Sequence, residues 1–226
     1  MASPSARFVA RRAGEAGEPF VIAKEPDHNG FGCGLTTEAI SEIIMLSLLI
    51  QSFYLALPAY LANMAPVVFD RLNWLAFFAR PIDAGRKWGS SYIFGSTKTW
   101  RGLVAAVMAG LLITGLQAGL YNLEFFQNIS LFNYQNNFWL FGLLAGLGAI
   151  LGDLFKSFFK RRLKIASGQP WPFFDQLDFI AGFFLFTWLL VRPPWPIVLT
   201  VVIMTLILHP LVNIIGYLLR FKKVWW

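Results

Sequence analysis

Residues 138–178 read FWLFGLLAGLGAILGDLFKSFFKRRLKIASGQPWPFFDQLD, and the two parts of this stretch follow different rules. As far as Gly152 the chain is apolar or small. From Asp153 it turns charged, with Lys156, Lys160, Arg161, Arg162 and Lys164, then crosses a link rich in Gly and Pro and ends on Asp175 and Asp178. An apolar run near the roughly 20 residues that cross a bilayer predicts a transmembrane helix. The charge at its end then marks one membrane face.

The rest of the chain has the same character. Of its 226 residues, 57% are hydrophobic and 14% charged, against about 25% charged in soluble domains. The mean hydropathy is +0.57. A net charge of +7, from 19 basic and 12 acidic residues, suits anionic head groups or a polyphosphate substrate, and in so apolar a chain no nucleic-acid partner is expected. The single cysteine, Cys33, excludes an internal disulfide framework and a Cys-rich metal site. Cys33 and His28 read as incidental residues of a polar tail.

Working outward, residues 1–36 are polar and carry no apolar run long enough for a signal-peptide core. They read as a loosely ordered extension ahead of a membrane-embedded domain at 37–226. Spans are expected at 40–68, with a kinked or interfacial end around Pro58, and at 102–123, 137–154, 177–191 and 197–219, the last two separated by a turn at RPPWP. The fold class is therefore an all-α polytopic membrane helix bundle, about five transmembrane helices with two cytoplasmic polar loops. Splitting the first segment would give six. Orientation follows from the basic residues. Arg71, Arg80, Arg86, Lys87, Lys98 and Arg101 lie in one loop, the 156–164 cluster in another, and Arg220, Lys222 and Lys223 at the C-terminus, whereas YNLEFFQNISLFNYQ between them has none. Trp225 and Trp226 beside those lysines read as an interfacial anchor.

Helical spacing groups the charge further. Asp153, Ser157, Lys160, Arg161 and Lys164 share a helix face, and Asp175 and Asp178 are three apart at a helix start. Three carboxylates without His or Cys favour a hard, oxygen-ligated cation, Mg²⁺ rather than zinc. Mg²⁺ beside Lys and Arg is equipment for phosphoryl or nucleotidyl transfer. Taken singly, the same residues also read as topology signals and helix caps. In FGSTKTWRG, Lys98 and Arg101 stand three apart at the next helix start, where a cation pair can grip a triphosphate. His209 and Asn213, four apart on the last span, read as packing and hydrogen-bonding residues.

In combination these motifs resemble the CDP-diglyceride synthase (phosphatidate cytidylyltransferase) superfamily, through SFFKRRLKIASGQPWPFFDQLD and KTWRG, with Arg101 where that superfamily has an acid. The archaeal CDP-archaeol synthase branch is the nearer match, similar in LPAYLANMAP, RPIDAG, FGSTKTWRG, GAILGDLFKSFFKRR, FFDQLDF and HPLVNIIGYLLRFKKVWW. The resemblance implies CMP transfer from CTP to an ether-lipid phosphate, 2,3-bis-O-geranylgeranylglycerol 1-phosphate, giving CDP-archaeol and pyrophosphate with Mg²⁺. It implies Asp153, Asp175 and Asp178 as metal or nucleotide-phosphate ligands. Lys98, Arg101, Lys160 and Arg161 would bind phosphates, with Ser157 supporting, and Asn63 and Asp83 occupy further motif positions. The expected partners are CTP, the lipid phosphate and membrane lipids, with the site facing the cytoplasm. The alternatives are the same chemistry on a diacyl phosphatidate, and a non-catalytic lipid-binding or transport protein.

Overall fold

A computed structural model describes residues 36–166 and 169–220, together with the backbone of two short strands, β1 (Val9–Ala10) and β2 (Ile22–Ala23), paired antiparallel. His28, Cys33, Lys222, Lys223, Trp225 and Trp226 lie outside the described residues. The helices in chain order are α1 (Thr37–Arg71), α2 (Trp100–Leu120), α3 (Glu124–Ile129), α4 (Phe138–Arg162), α5 (Phe174–Thr187) and α6 (Trp195–Leu218). The expected all-α membrane bundle is what forms.

Of these, α1, α2, α4 and α6 are long and apolar enough to cross a membrane. The expected span at 177–191 is instead the 14-residue α5, about 21 Å at 1.5 Å per residue and short of a hydrocarbon core of about 30 Å. It ends at Thr187 because the chain must turn before Pro193 and Pro194, the latter capping α6. Helix α1 does not break at Pro58 but continues for 35 residues, with both Pro58 and Pro66 inside it. Pro58 is fully buried, and Gly102 of α2 lets that helix settle against Pro66. Neighbouring helices tolerate such prolines where lipid would not.

Helix α4 lies at the centre and packs most extensively on α5 and α2. Its glycines explain how. Gly142 and Gly146 face α2, where an added Cβ would lie 2.8 Å from the Gly110 carbonyl and 2.7 Å from that of Ala106. Gly148 and Gly152 face α5, where a Cβ on Gly148 would lie 2.5 Å from the Gly182 carbonyl and one on Gly152 would run into that of Asp178. Two small-xxx-small pairs, about 120° apart around one helix, thus let two backbones touch α4 on different sides. Between them sit Tyr134, Phe141, Phe179 and Phe183, all fully buried. The outer faces are apolar and exposed, as at Ile44, Met45, Leu112, Leu199 and Ile207, which suits lipid. Some interior polar groups are paired: Tyr60 shares a 2.8 Å hydrogen bond with Thr205, and Gln117 donates to the Tyr54 carbonyl at 2.7 Å, whereas the hydroxyls of Ser52 and Tyr134 are buried without a hydrogen-bond partner among the described residues. His209 and Asn213 face each other at 3.4 Å, with His209 against Phe179.

The connection from α1 to α2 is an ordered cap. It contains a 3-10 turn (Ala76–Phe78) and a hairpin of β3 (Lys87–Trp88) and β4 (Ser91–Tyr92). Arg162 at the end of α4 donates to the carbonyls of Tyr92 and Ile93 at 3.0 and 3.2 Å, with its guanidinium 3.9 Å from the Phe158 ring centre. Both polar loops therefore meet at the same end of the bundle.

Replacing Gly152 by Leu should force α5 away from α4 and lower stability by about 1–3 kcal/mol or more, read as a fall in melting temperature in detergent. Gly119→Ala, where an added Cβ meets nothing within 4 Å, should leave it unchanged or raise it by up to about 1 kcal/mol. Equal melting of Gly152→Leu and the parent would show that the seam is not tight.

Candidate active site at the end of the α4–α5 seam

Because Gly152 lies on the backbone of Asp178, the residue after it, Asp153, is brought beside the start of α5. The carboxylates of Asp153, Asp175 and Asp178 converge on the ammonium of Lys156, which stands 3.0, 3.2 and 2.7 Å from their oxygens. Two more lysines close the group. Lys98, just ahead of α2, pairs with the other oxygen of Asp153. Lys160 donates to both oxygens of Asp175 at 3.1 Å and to the carbonyl of Gln169 at 2.6 Å. Three anions and three cations so balance in a largely enclosed cluster. Asp178 is the deepest, 7% exposed, with its Oδ2 paired to the Lys156 ammonium at 2.7 Å.

Backbone groups complete the start of α5. The chain enters it through Phe173 at φ 65°, a left-handed position unusual for a bulky residue. The Trp171 amide donates to Asp175 Oδ2 at 2.6 Å, and the Trp171 ring stacks on Phe174 at 4.2 Å. The Gly/Pro-rich link thereby folds back onto the acid it precedes.

A cavity of about 400 Å³ opens between the cap and α4, lined by Pro81, Asp83, Gly85, Tyr92, Gly95, Ser96 and Arg161, which follows Lys160 of the cluster in α4. A second, of about 300 Å³, shares Tyr92 and Arg161 and reaches Ser90, Ser91 and Lys164. The Arg161 Nε is buried here without a hydrogen-bond partner. Asp83 shapes the floor: its carboxylate accepts from the amides of Gly85, Phe94 and Gly95, each at 3.0 Å. Gly95 adopts φ 98°, which only glycine takes readily. Burial pushes the Asp83 carboxyl up, but the amides of Gly95, Phe94 and Gly85 outweigh it and hold the group below the usual carboxylate range.

Of the residues singled out in sequence, Asp153, Asp175, Asp178, Lys160 and Lys98 meet in one cluster, and Arg161 and Asp83 border the cavity. The others stand apart. Arg101 is buried and pairs with Asp70 at the end of α1 rather than joining Lys98. Ser157 donates to the carbonyl of Asp153 at 2.9 Å, within its own helix. Asn63 is half-buried on α1, outside the ion-pair cluster. Lys156 was legible as the i+3 neighbour of Asp153 but reads in sequence only as a topology signal. Arg162, which pins the hairpin, reads the same way. The backbone contributions of Gln169 and Trp171 carry no side-chain signal at all.

Since the folded-state titration of Asp83 lies below its unfolded one, its contribution to the cap is complete above the unfolded carboxylate pKa of about 4 and disappears as pH falls through the lower, folded value. Asp83→Asn keeps one acceptor and adds an amide donor facing three amides. It should make the 81–99 segment protease-sensitive at neutral pH, a state the parent reaches only in acid. Equal resistance at neutral pH would show that the carboxylate does not hold the cap.

Comparison with known proteins gives one consistent result. The CarS-like CDP-archaeol synthase family model matches residues 45–226. The CDP-archaeol synthase of Methanocaldococcus jannaschii is 32% identical over 180 residues, covering 79% of this chain and 98% of the relative. Those of Methanosarcina barkeri and Methanospirillum hungatei are 39% and 40% identical, each covering 75% of this chain and 99% of the relative. A solved structure described as an intramembrane enzyme for archaeal membrane lipids biosynthesis is 31% identical, with a TM-score of 0.58 over 72% of this chain and 92% of that one. With its bundle, its acid–lysine cluster and the matched sequence running together through the same residues, this chain belongs to the CarS-like CDP-archaeol synthase family.

Proposed function

We propose that the chain transfers CMP from CTP to the phosphate of a bis-geranylgeranylglycerol ether lipid, releasing pyrophosphate, at the membrane face where the two polar loops meet. The observation that carries this reading is the convergence of Asp153, Asp175 and Asp178 with Lys98, Lys156 and Lys160, together with a cavity of about 400 Å³ bordered by Arg161. Family membership supports it independently. The basic residues concentrate in these loops, which by the positive-inside rule puts this face in the cytoplasm, where CTP is made.

The reaction needs one P–O bond formed and one broken. An ionised oxygen of the lipid phosphate attacks the α-phosphorus of CTP, and the bond from that phosphorus to the bridging oxygen breaks, sending its electrons to pyrophosphate. No general base is required, since the nucleophile carries no proton. The task of the protein is therefore positioning and charge neutralisation. Arg161 lines the cavity, and its guanidinium would supply donors for the nucleotide. Lys98, the most exposed of the three lysines, can pass from carboxylate to phosphate oxygens, while the buried Lys160 holds Asp175 in place.

The acids also fit a divalent cation. Every donor is a hard carboxylate oxygen, and the three acids already share one cation, Lys156. As the side chains stand, no three acids among the described residues are arranged to hold a metal ion, and the Lys156 ammonium lies among the three carboxylates. Asp153, Asp175 and Asp178 would hold Mg²⁺, which when bound neutralises phosphate charge and orients the triphosphate.

The test is incubation of purified protein with labelled CTP, Mg²⁺ and, separately, the ether-lipid phosphate or a diacyl phosphatidate. CDP-lipid should form from the ether lipid. Product from phosphatidate alone would reassign the lipid, and no product from either would end the transferase reading. Asp175→Asn and Asp178→Asn should each lower turnover by about 10³-fold or more while keeping a monodisperse bundle. Near-parental activity in both would show that the acids are not in the reacting site.

A further inference from the structure

Lys156 stands at the centre of the three acids. Its ammonium touches all three acids, two of them on a different helix, and the side chain is 13% exposed. The seam gives those acids no way to spread: Gly148, Gly152 and Gly182 fix the approach of α5 to α4 at backbone contact. Three carboxylates held this close need either a cation among them or a proton on one of them.

The neighbouring lysines do not fill that role. Lys98 holds the Asp153 oxygen that Lys156 does not touch, and Lys160 is tied to Asp175 and to the Gln169 carbonyl. Lys156 alone reaches all three acids, and its shortest contact, 2.7 Å, is to the deepest of them, Asp178. An ammonium on a flexible four-carbon stem is a cation that can leave. A divalent ion added to a cluster already neutral would leave an excess of two positive charges in an enclosed site, unless one resident cation moves off.

We propose that Lys156 is the resident counter-cation of the acid triad: it keeps Asp153, Asp175 and Asp178 together in the metal-free protein and competes with the divalent cation for their shared centre. This rests on the reading of the triad as the divalent-cation site. Displaced by the metal, the same ammonium is free to turn toward incoming phosphate. Binding of the cation without nucleotide is thereby kept weak, and the cation is taken up with its triphosphate.

The experiment uses the full chain in detergent, without CTP or lipid, and follows Mn²⁺ binding by electron paramagnetic resonance together with melting temperature. Lys156→Met and Lys156→Gln should bind Mn²⁺ about tenfold or more tightly than the parent. They should melt lower than the parent without metal and regain that loss when Mn²⁺ or Mg²⁺ is added. Lys164→Met, a loop lysine outside the cluster, should change Mn²⁺ affinity less than about twofold. Equal or weaker Mn²⁺ binding by both Lys156 variants overturns the proposal, as does a melting loss that metal does not restore. Should both aggregate when purified without metal, folded protein recovered by adding Mn²⁺ throughout supports the proposal, and aggregation regardless overturns it. A parent that makes CDP-lipid while the variants gain no Mn²⁺ affinity removes this inference and leaves the transferase reading intact.

Discussion

The contact between the backbone of Gly152 and the carbonyl of Asp178 decides where everything else in this molecule can stand. Lipid supplies no hydrophobic force to press two helices together, so close approach depends on removing side chains between them. Helix α4 does this on two sides, with Gly142 and Gly146 toward α2 and Gly148 and Gly152 toward α5. The second seam ends one residue before Asp153, so packing and chemistry are continuous along the chain. A bulkier residue there would separate Asp153 from the two acids of α5 by the width of a side chain, and no lysine could then span all three.

The same closeness sets an electrostatic requirement. Buried like charges at this spacing repel by several kcal/mol unless compensated. The cluster compensates with Lys98, Lys156 and Lys160, each reaching a different combination of oxygens. Such an arrangement stabilises little beyond what an apolar contact would. Its cost makes sense where the charges have work to do, which is why the cluster, more than any single residue in it, carries the functional reading.

Much of this was legible in the chain, for identifiable reasons. The membrane bundle follows from apolar runs near the length of a span, and Asp153, Asp175 and Asp178 stand out because acids are scarce. Helix α5 was expected as a full span because hydropathy continues past Thr187, while the turn demanded by Pro193 and Pro194 consumes the residues that would have completed it. Arg101 was expected beside Lys98 on the strength of spacing alone. Its partner Asp70 lies 31 positions away on α1, and no local pattern announces a contact brought about by helix packing. Lys156 failed for the opposite reason: in a run of five cations, position alone does not separate the one that enters the cluster from those that mark the membrane face.

The rim of the cluster bears on how two unlike substrates reach one point. Phe155 and Phe159 on α4, and Phe173 and Phe174 at the entry to α5, are among the more exposed aromatics, at 69%, 47%, 67% and 58%. They neighbour Lys156, Lys160 and Asp175 in sequence, so charge and exposed apolar surface alternate over a few residues. Water-exposed aromatics in such numbers would be costly, but at a membrane face they sit at the level of the head groups. Under the cytidylyl-transfer reading, the phosphate of a lipid meets the lysines while its chains remain against phenylalanine and lipid. On the same reading the nucleotide would enter through the cavity beneath the β3–β4 cap. Arg161 borders that cavity and follows Lys160 directly in α4. Consecutive residues of one helix would then stand at the acid cluster and at the entrance for the nucleotide, and the reacting phosphorus has only to lie between them.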